Sequence, residues 1–382
     1  MNDRPVLICL GSGGVGKTTM AAAWGIEAAS RGQRVVVLTI DPAQRLAAAL
    51  GFEGPKGAGL GTGQSIGNEP VRIDGPWPGE LWAAMLDPAA TLDTLLAEHG
   101  RPEVVARLTS SPLLANIVGS MSGSSEYLAA ERLHQLHHDP RLERVVIDTP
   151  PSRHALDFLD SPGRLTRFVD NRLYRAVFAP QRGVLRSLKS AAHLVFRMTA
   201  RLVGADLVDD VVKLFKDLGQ LDQGFRQRAT ETSALLASDA CGYALITSPR
   251  YEPLREAAWI QEGLHERGHQ LDIVVVNRLV PVGPRAPLGA ELDGMPEALV
   301  ENWTELAALA SLEGALIDEL RGQLAPELPM VLIEDQPGPV NDLDGVAELA
   351  RMLGQLLASS AKASSASSTD SVTGTIRSKP VV

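Results

Sequence analysis

The sequence has little cysteine, few aromatic residues and no long apolar run. Of its 382 residues, two are cysteines, Cys9 and Cys241, and 4% are aromatic. Two thiols are too few for a disulfide framework or a cysteine-built metal site, and so few cysteines are typical of a reducing compartment. Nowhere do eighteen apolar residues follow one another, so we expect no membrane-spanning helix. No charged-then-apolar leader precedes the first predicted strand, so we expect no signal peptide and a cytoplasmic protein.

Basic charge is also in the minority. The formal net charge is -10, which argues against general nucleic-acid binding. With 45% hydrophobic residues the chain is long enough to bury a sizeable core. We therefore expect a soluble globular protein with one large α/β domain and an insertion.

Short continuous apolar runs alternate with helical patterns along the chain. Such runs are typical of strands buried on both faces of a parallel sheet. The predicted strands are VLICL (6–10), VVVLTI (35–40), VVID (145–148), YALITS (243–248), DIVVVN (272–277) and PMVLIE (329–334). The helices between them predict right-handed βαβ units and a doubly wound, mostly parallel α/β sheet.

Two connections are too long to be plain crossovers. The stretch 52–75 is glycine-rich and predicts a loop, and helical patterns follow over 80–100 and 126–138. The excursion over 155–238 carries helical periodicity, and the serine-rich tail predicts disorder. The predicted organisation is a core of residues 1–154 and 239–357, a helical insertion subdomain of 155–238 and a disordered tail of 358–382.

The run GSGGVGKT, residues 11–18, fits G-x-x-x-x-G-K-[ST] between a predicted strand and a predicted helix. Its glycines let the backbone curl around a phosphate, and the amides at the helix N-terminus face the negative charge. Lys17 then reaches the β/γ-phosphates and the Thr18 hydroxyl joins Mg²⁺. The alternative is a glycine-rich turn without a ligand. The candidate nucleotide-binding residues are Gly11, Ser12, Gly13, Gly14, Val15, Gly16, Lys17, Thr18 and Thr19, of which Lys17 and the amide of Gly14 are also catalytic candidates.

Two aspartates end predicted strands. Asp148 follows VVI at the position of a Walker B aspartate, which predicts a Mg²⁺ ligand together with Thr18; the alternative is a cap of the next turn. Asp41 ends the second predicted strand, at the carboxyl edge where α/β sheets bind ligands. It is a candidate to position or deprotonate the attacking water, and the alternative is a turn-initiating Asp-Pro.

Five ordered motifs carry a family resemblance. GSGGVGKTT, TIDPAQRLAAALG, ELWAAMLDP, IDTPPSRHALDFL and VVNRLVP resemble the ArsA family of P-loop ATPases, over most of residues 5–355. That family includes arsenite/anion pump ATPases and the ATPase that targets tail-anchored membrane proteins. The resemblance implies the deviant Walker A class of P-loop fold, with ATP and Mg²⁺ as ligands. It also implies that Asp41 is the water-activating switch I aspartate, that His154 lies in switch II and that Asn277 contacts adenine.

Ser12 departs from the family pattern. Members usually carry G-K-G-G-x-G-K-[ST], whose first lysine crosses a nucleotide-sandwich dimer to the neighbour's phosphates. A hydroxyl has neither the charge nor the reach to stabilise the transferring group in that way. A lysine-bearing second subunit could complete the site, Arg45 or Arg153 could substitute, or hydrolysis could be slow and nucleotide binding regulatory. The first outcome resembles the paired ArsA-like ATPases of actinobacteria, and we favour it.

The scarcity of cysteine also bears on the family functions. The pumps bind As(III) through a cluster of thiolates, because this soft ion prefers sulfur, so we do not expect arsenite transport. The eukaryotic targeting ATPase joins its dimer through zinc held by a paired C-x-x-C, which this sequence lacks. Any dimer must then be held in another way.

Residues 161–201 are strongly basic. They contain nine Arg or Lys residues and one Asp, a net charge of +8 in an acidic protein. Apolar residues recur at helical spacing from Leu185 to Leu202, so the segment is amphipathic if helical. It is either a surface for an acidic protein or an anionic membrane, or a solvated helical subdomain whose apolar stripe packs internally.

The prediction is a Mg²⁺-dependent ATPase of the ArsA type. ATP binding and hydrolysis would change the conformation of a homodimer, or of a heterodimer with a lysine-bearing subunit. That dimer would handle a protein or membrane-associated partner, with peripheral membrane association. The alternative is a regulatory nucleotide-binding subunit with little activity alone.

Overall fold

The structure is a computed structural model in which part of the chain is described. The described residues are 4–40, 46, 49–50, 66–120, 124–151, 153–170, 210, 213–214, 216–281, 295–336, 338, 340, 342–366 and 373–376. Two compact units share the chain. The sheet unit comprises Met1–Leu86, Leu136–Leu156 and Ala237–Val382, and the helical unit comprises Asp87–Gln135 and Asp157–Leu236.

The sheet unit contains a nine-stranded sheet in the order β3-β4-β2-β5-β1-β6-β7-β8-β9. Only the β3–β4 pair is antiparallel. The strands are β1 Val6–Gly11, β2 Arg34–Thr39, β3 Val71–Ile73, β4 Glu80–Met85, β5 Arg144–Asp148, β6 Cys241–Thr247, β7 Ile273–Leu279, β8 Met330–Glu334 and β9 Thr373–Ile376. All six strands predicted from continuous apolar runs are confirmed, and β1, β5 and β6 are buried along their whole length.

The helices of the described chain follow in sequence order. They are α1 Lys17–Ser30, α2 Pro88–His99, α3 Pro102–Thr109, α4 Pro112–Ser120, α5 Ser124–His137, α6 Arg153–Asp170, α7 Asp222–Leu236, α8 Tyr251–Glu266, α9 Glu297–Gln323 and α10 Leu343–Ala366. None of these helices combines the length and the apolar content that crossing a bilayer requires.

The central strand β1 brings three strand ends together. It pairs with β5 on one side and β6 on the other, with Cys9 opposite Asp148 and Gly11 opposite Ile246. Strand β2 also pairs with β5, which places Thr39 opposite Asp148. Because all these strands are parallel, their carboxyl ends form one edge, and the loop after β1 lies at that edge.

The helix predicted over 80–100 is wrong in its first third. Residues Glu80–Met85 form β4, parallel to β2, and α2 begins only after Asp87. The Asp87 carboxylate accepts hydrogen bonds from the amides of Ala89 and Ala90, which caps the helix. Leu81 is fully buried in the sheet unit's core, so burial and strand pairing override the helix-favouring composition.

Helix α1 is alanine-rich because it lies close to the sheet. A Cβ at Gly25 would overlap the Val37 side chain of β2, and Ala21 and Trp24 are buried in the same core. Helix α10 packs against α1 through Leu349 and Leu353. The small side chains of α1 thus let this helix pack closely between the sheet and α10.

Two described segments within the range predicted as a disordered tail have regular secondary structure. Helix α10 continues to Ala366, and β9 pairs with β8 in parallel. Pairing with the backbone of β8 accounts for the strand conformation of β9.

The helical unit has its own apolar core. The core side chains are Leu96, Val104, Leu108, Leu114, Leu214 and Leu221. Arg107 and Asp217 form a bidentate ion pair with both N–O distances at 2.8 Å. This ion pair, together with the shared apolar core, joins the 87–135 segment to the segment that follows residue 157.

Candidate nucleotide-binding site

The loop after β1 depends on glycine. Gly11, Gly14 and Gly16 have φ angles of 149°, 78° and 96°. L side chains rarely adopt this region. In addition, a Cβ at Gly11 would overlap the Ile246 carbonyl oxygen, and one at Gly16 would overlap the Asn277 amide nitrogen. The loop therefore curls tightly against β6 and β7 in a way that only glycine permits.

Helix α1 starts directly from this loop. Its N-cap is Gly16, in the left-handed conformation and with no side-chain capping hydrogen bond. An uncapped first turn presents amide N–H groups and the positive end of the helix dipole to an anion.

Lys17 and Ser12 contact each other across the loop. The Lys17 ammonium donates a 2.7 Å hydrogen bond to the Ser12 carbonyl oxygen. The Ser12 side chain is 6% exposed, and its hydroxyl has no hydrogen-bond partner in the described part of the chain. The lysine charge is thus held over the loop, whereas the residue at the family's lysine position is short and buried.

Asp148 lies at the centre of the site. Its Oδ2 accepts hydrogen bonds from the Thr18 hydroxyl at 2.7 Å and from the Thr39 hydroxyl at 3.0 Å. Next to it, the Thr149 hydroxyl donates to the Cys9 carbonyl oxygen at 2.6 Å. These bonds connect the ends of β1, β2 and β5 with the first turn of α1. Sequence reasoning missed Thr39; its only signal was its place at the end of a predicted strand.

The residues fit Mg²⁺ and a nucleotide triphosphate. Mg²⁺ prefers hard oxygen ligands, and the Thr18 hydroxyl and the Asp148 carboxylate lie within hydrogen-bond distance of each other. The three left-handed glycines and the uncapped helix start supply the backbone cradle that phosphates need.

Cys9 takes no part in this chemistry as a thiolate. Burial, and secondarily the Asp148 carboxylate, raise the pKa of its thiol well above 9.0. The thiol is therefore neutral and packs as a small apolar side chain in β1.

Asn277 reaches the loop from β7. Its amide nitrogen donates a 2.9 Å hydrogen bond to the Val15 carbonyl oxygen. The pairing of β7 with β8 shifts register between Val276 and Leu279, and Arg278 has a φ of 65°. A bulge of this kind redirects a side chain at a sheet edge. Here it accompanies a direct contact between Asn277 and the glycine loop.

Several sequence-predicted residues cannot be placed. Asp41 and Arg45 lie outside the described residues, as do residues 171–201 of the basic segment 161–201. The backbone of Arg153 and His154 forms the start of α6, but their side chains lie outside the described part.

Comparison with known proteins identifies the family. Residues 4–287 match the anion-transporting ATPases of the ArsA type. The chain belongs to this family. It is therefore an ATPase with the α/β fold of P-loop proteins.

Individual relatives are distant. ATPase GET3C of Arabidopsis thaliana is 23% identical over 343 residues, which cover 84% of this chain and 80% of that protein. Uncharacterized protein SCO2128 of Streptomyces coelicolor is 27% identical over 277 residues, covering 72% of this ArsA-type chain and 62% of the relative. Protein Rv2184c of Mycobacterium tuberculosis is 32% identical over 173 residues, which cover 43% of this chain and 39% of that protein.

Proposed function

We propose that this ArsA-type ATPase hydrolyses Mg²⁺-bound ATP at the loop of residues 11–19. The observation that carries the proposal is the 2.7 Å hydrogen bond from the Thr18 hydroxyl to Asp148, at the end of a loop that contains three glycines with positive φ. It joins a phosphate cradle to a carboxylate at the end of an adjacent strand, and phosphoryl transfer requires both.

Each residue has a role in this proposal. Thr18 and Asp148 hold Mg²⁺, which neutralises phosphate charge when bound. Lys17 leaves the Ser12 carbonyl to contact the β/γ-phosphates, and the Gly14 amide faces the transferring group. Asp41 orients and deprotonates the attacking water for in-line displacement. The triphosphate contacts are residues Gly11, Ser12, Gly13, Gly14, Val15, Gly16, Lys17, Thr18 and Thr19, and Asn277 lies beside them.

Calorimetry with MgATP tests the binding half of the proposal. The wild-type chain should bind ATP, and Mg²⁺ should increase the affinity. Thr18→Ala should lose most of that Mg²⁺ dependence because a metal ligand is gone. Thr304→Ala, the same change on the exposed face of α9, should not. Absence of any heat from the wild-type chain with MgATP would refute the proposal.

Measurement of phosphate release tests the proposed hydrolysis of ATP. Asp41→Ala should abolish turnover while MgATP binding persists, because the water loses its base but the cradle remains. If the wild-type rate is already negligible at saturating ATP, the chain is a nucleotide-binding subunit and not an independent enzyme.

That second function has one structural observation in its favour. Ser12 is short, uncharged and buried, so this chain cannot extend a cation from that position into a neighbouring site. We therefore also propose that the chain works in a dimer, most effectively with a lysine-bearing ArsA-type subunit. In that complex, nucleotide-dependent motion would act on a protein or membrane-associated partner. Turnover that rises on mixing the two subunits would support this.

A further inference from the structure

Large exposed apolar side chains gather in one part of the sheet unit. In the described chain, they all lie on α8, on α9 or just before α9. They are Tyr251, Trp259, Met295, Leu299, Leu306, Leu309 and Leu312. None of them belongs to the nucleotide site, so the proposed chemistry does not account for their exposure.

Helix α9 carries a heptad pattern over its whole length. Counting Trp303 as position a places Ala310 and Ile317 at the next a positions. The d positions are Leu299, Leu306, Glu313 and Leu320. This 3-4 spacing forms a continuous seam along one side of the helix, as in coiled coils.

The C-terminal half of the seam is covered by the chain itself. Glu313, Ile317 and Leu320 are 8%, 4% and 2% exposed. The Glu313 carboxylate accepts a 2.8 Å hydrogen bond from the Val280 amide, which fixes the helix to the end of β7. Leu320 also lines a groove that α9 forms with Leu254 and neighbouring residues of α8.

The N-terminal half of the same seam is open along its d positions. Leu299 and Leu306 are 55% and 40% exposed, and Trp303 is half-buried. No residue of α9 before Glu313 is buried. In the described part of the chain, therefore, the a-position side chains Trp303 and Ala310 are partly covered, whereas the d-position side chains Leu299 and Leu306 face water.

The open half is also uncharged where a second helix would lie. Its acidic residues occupy the outer b, c and f positions, on the side away from the seam: Glu297, Glu301 and Glu305. The flanking e and g positions carry no charge; they are Val300, Asn302, Ala307 and Leu309. Two such seams can meet without the like-charge repulsion that e and g residues usually create.

We propose that residues 297–312 form a self-association surface, on which the same half-helix of a second copy of this chain packs as a two-helix coiled coil. A self-complementary, uncharged seam matches the isologous contact of a two-fold dimer. Covering it on both copies removes on the order of 1,000 Å² from water, near the lower limit for a specific interface. The contact is therefore weak and reversible. This inference gives a homodimer of the chain a physical contact that needs no zinc and no cysteine, and it rests on the proposal that the chain works in a dimer.

Sedimentation velocity of the full-length chain over a wide concentration range tests the surface. Without nucleotide, the wild-type chain should dimerise reversibly. Leu306→Glu should weaken the dimer by at least about tenfold, because each interface would bury two unpaired carboxylates. Leu312→Glu is the matched control: it is the same change on the same helix at an even more exposed side chain, 58% against 40%, but at the outer c position. Circular dichroism should show both variants folded.

Cysteine cross-linking gives a second readout. Both native cysteines are buried, so a single cysteine introduced on α9 would be the reactive one. Leu306→Cys should form an intermolecular disulfide under mild oxidation, and Leu312→Cys should not.

The outcomes separate this inference from the proposed function. Equal weakening by both glutamate variants, or equal cross-linking at both positions, would overturn the seam. If the dimer forms only with MgATP and Leu306→Glu does not weaken it, the seam is wrong but the proposed dimer of the ATPase still holds. A wild-type chain that is monomeric with and without MgATP would overturn both the seam and a homodimer.

Discussion

The contact of Asn277 bears on two possible roles, support of the phosphate loop and recognition of adenine. Its amide donates to the Val15 carbonyl, so it supports the phosphate loop from the side of β7. Asn277→Ala should weaken MgATP binding about five- to tenfold, the effect of losing one part-buried hydrogen bond. Because the contact is to the loop and not to a base, magnesium tripolyphosphate should be weakened by the same factor. Calorimetry with both ligands measures this.

The resemblance to the ArsA family instead implies a contact to adenine. In that case Asn277→Ala would weaken ATP and leave tripolyphosphate unchanged. Asn116→Ala, on the exposed part of α4, controls for nonspecific effects of the same substitution.

Gly16 gives a second prediction for the same contact. Gly16→Ala introduces strain at a φ of 96° and also places a methyl group against the Asn277 amide. Gly32→Ala is the matched control, since Gly32 has a φ of 89° but no atom within 4 Å of its Cβ position. Urea unfolding should show a loss of roughly 1 kcal/mol for Gly32→Ala and a larger one for Gly16→Ala.

A double-mutant cycle isolates the overlap. In an Asn277→Ala background, the extra cost of Gly16→Ala over Gly32→Ala should shrink, because the clashing amide is absent. If the losses of stability from the two substitutions simply add, the methyl group at residue 16 does not clash with the Asn277 amide in solution.

Among the structural elements, strands with continuous β-branched runs were predictable and β4 was not. VVVLT in β2 and IVVV in β7 favour strands by composition alone. ELWAAM contains good helix formers, and only its position beside β2 makes it a strand. The glycine loop and Asp148 were predictable because their pattern is local. The Thr39 and Asn277 contacts depend on strand order, which no local pattern contains.

The contact between α5 and α7 in the helical unit buries an acidic group. Glu131 lies with a fully buried side chain beside Arg228 and Gln135. Burial raises the pKa of Glu131 from 4.5 to about 7, although Arg228 opposes this shift. Glu98 also pairs with Arg228, while Glu231 and His134 pair with each other next to it.

This shift predicts a pH-dependent stability. Between pH 4.5 and about 7, Glu131 stays protonated in the folded chain but is ionised in the unfolded chain. The contribution of Glu131 to stability is therefore greatest below pH 4.5 and falls as the pH rises toward 7. Glu131→Gln should therefore gain stability over wild type at pH 8, on the order of 2 kcal/mol, and little at pH 5. Urea unfolding at the two pH values measures the difference. Glu103→Gln, on the exposed side of α3, should show no such change; a gain for Glu131→Gln that does not depend on pH would contradict the assignment.

At the scale of the whole molecule, the site is assembled from distant parts of one sheet. Strand β1 supplies the loop, β5 the carboxylate, β2 its second hydrogen-bond donor and β7 the support from Asn277. At residue 12 the site differs from the family pattern, because serine stands where family members usually carry lysine. The proposed completion of the site in a dimer involves two chains, and a change at Ser12 tests that proposal.

Ser12→Lys should raise the ATP turnover of the chain if it pairs with itself and lacks only a cation from its neighbour. The gain should be tenfold or more, since a transition-state cation at a transferring phosphoryl group contributes on the order of several kcal/mol. It should grow with protein concentration, because the lysine acts across a dimer. Ser12 is buried, so thermal unfolding must first show that the longer side chain is accommodated, and Ser12→Ala controls for loss of the hydroxyl. A folded Ser12→Lys chain that binds MgATP but turns over no faster would mean that the missing cation is not what limits this chain, and would favour the regulatory subunit over the self-sufficient enzyme.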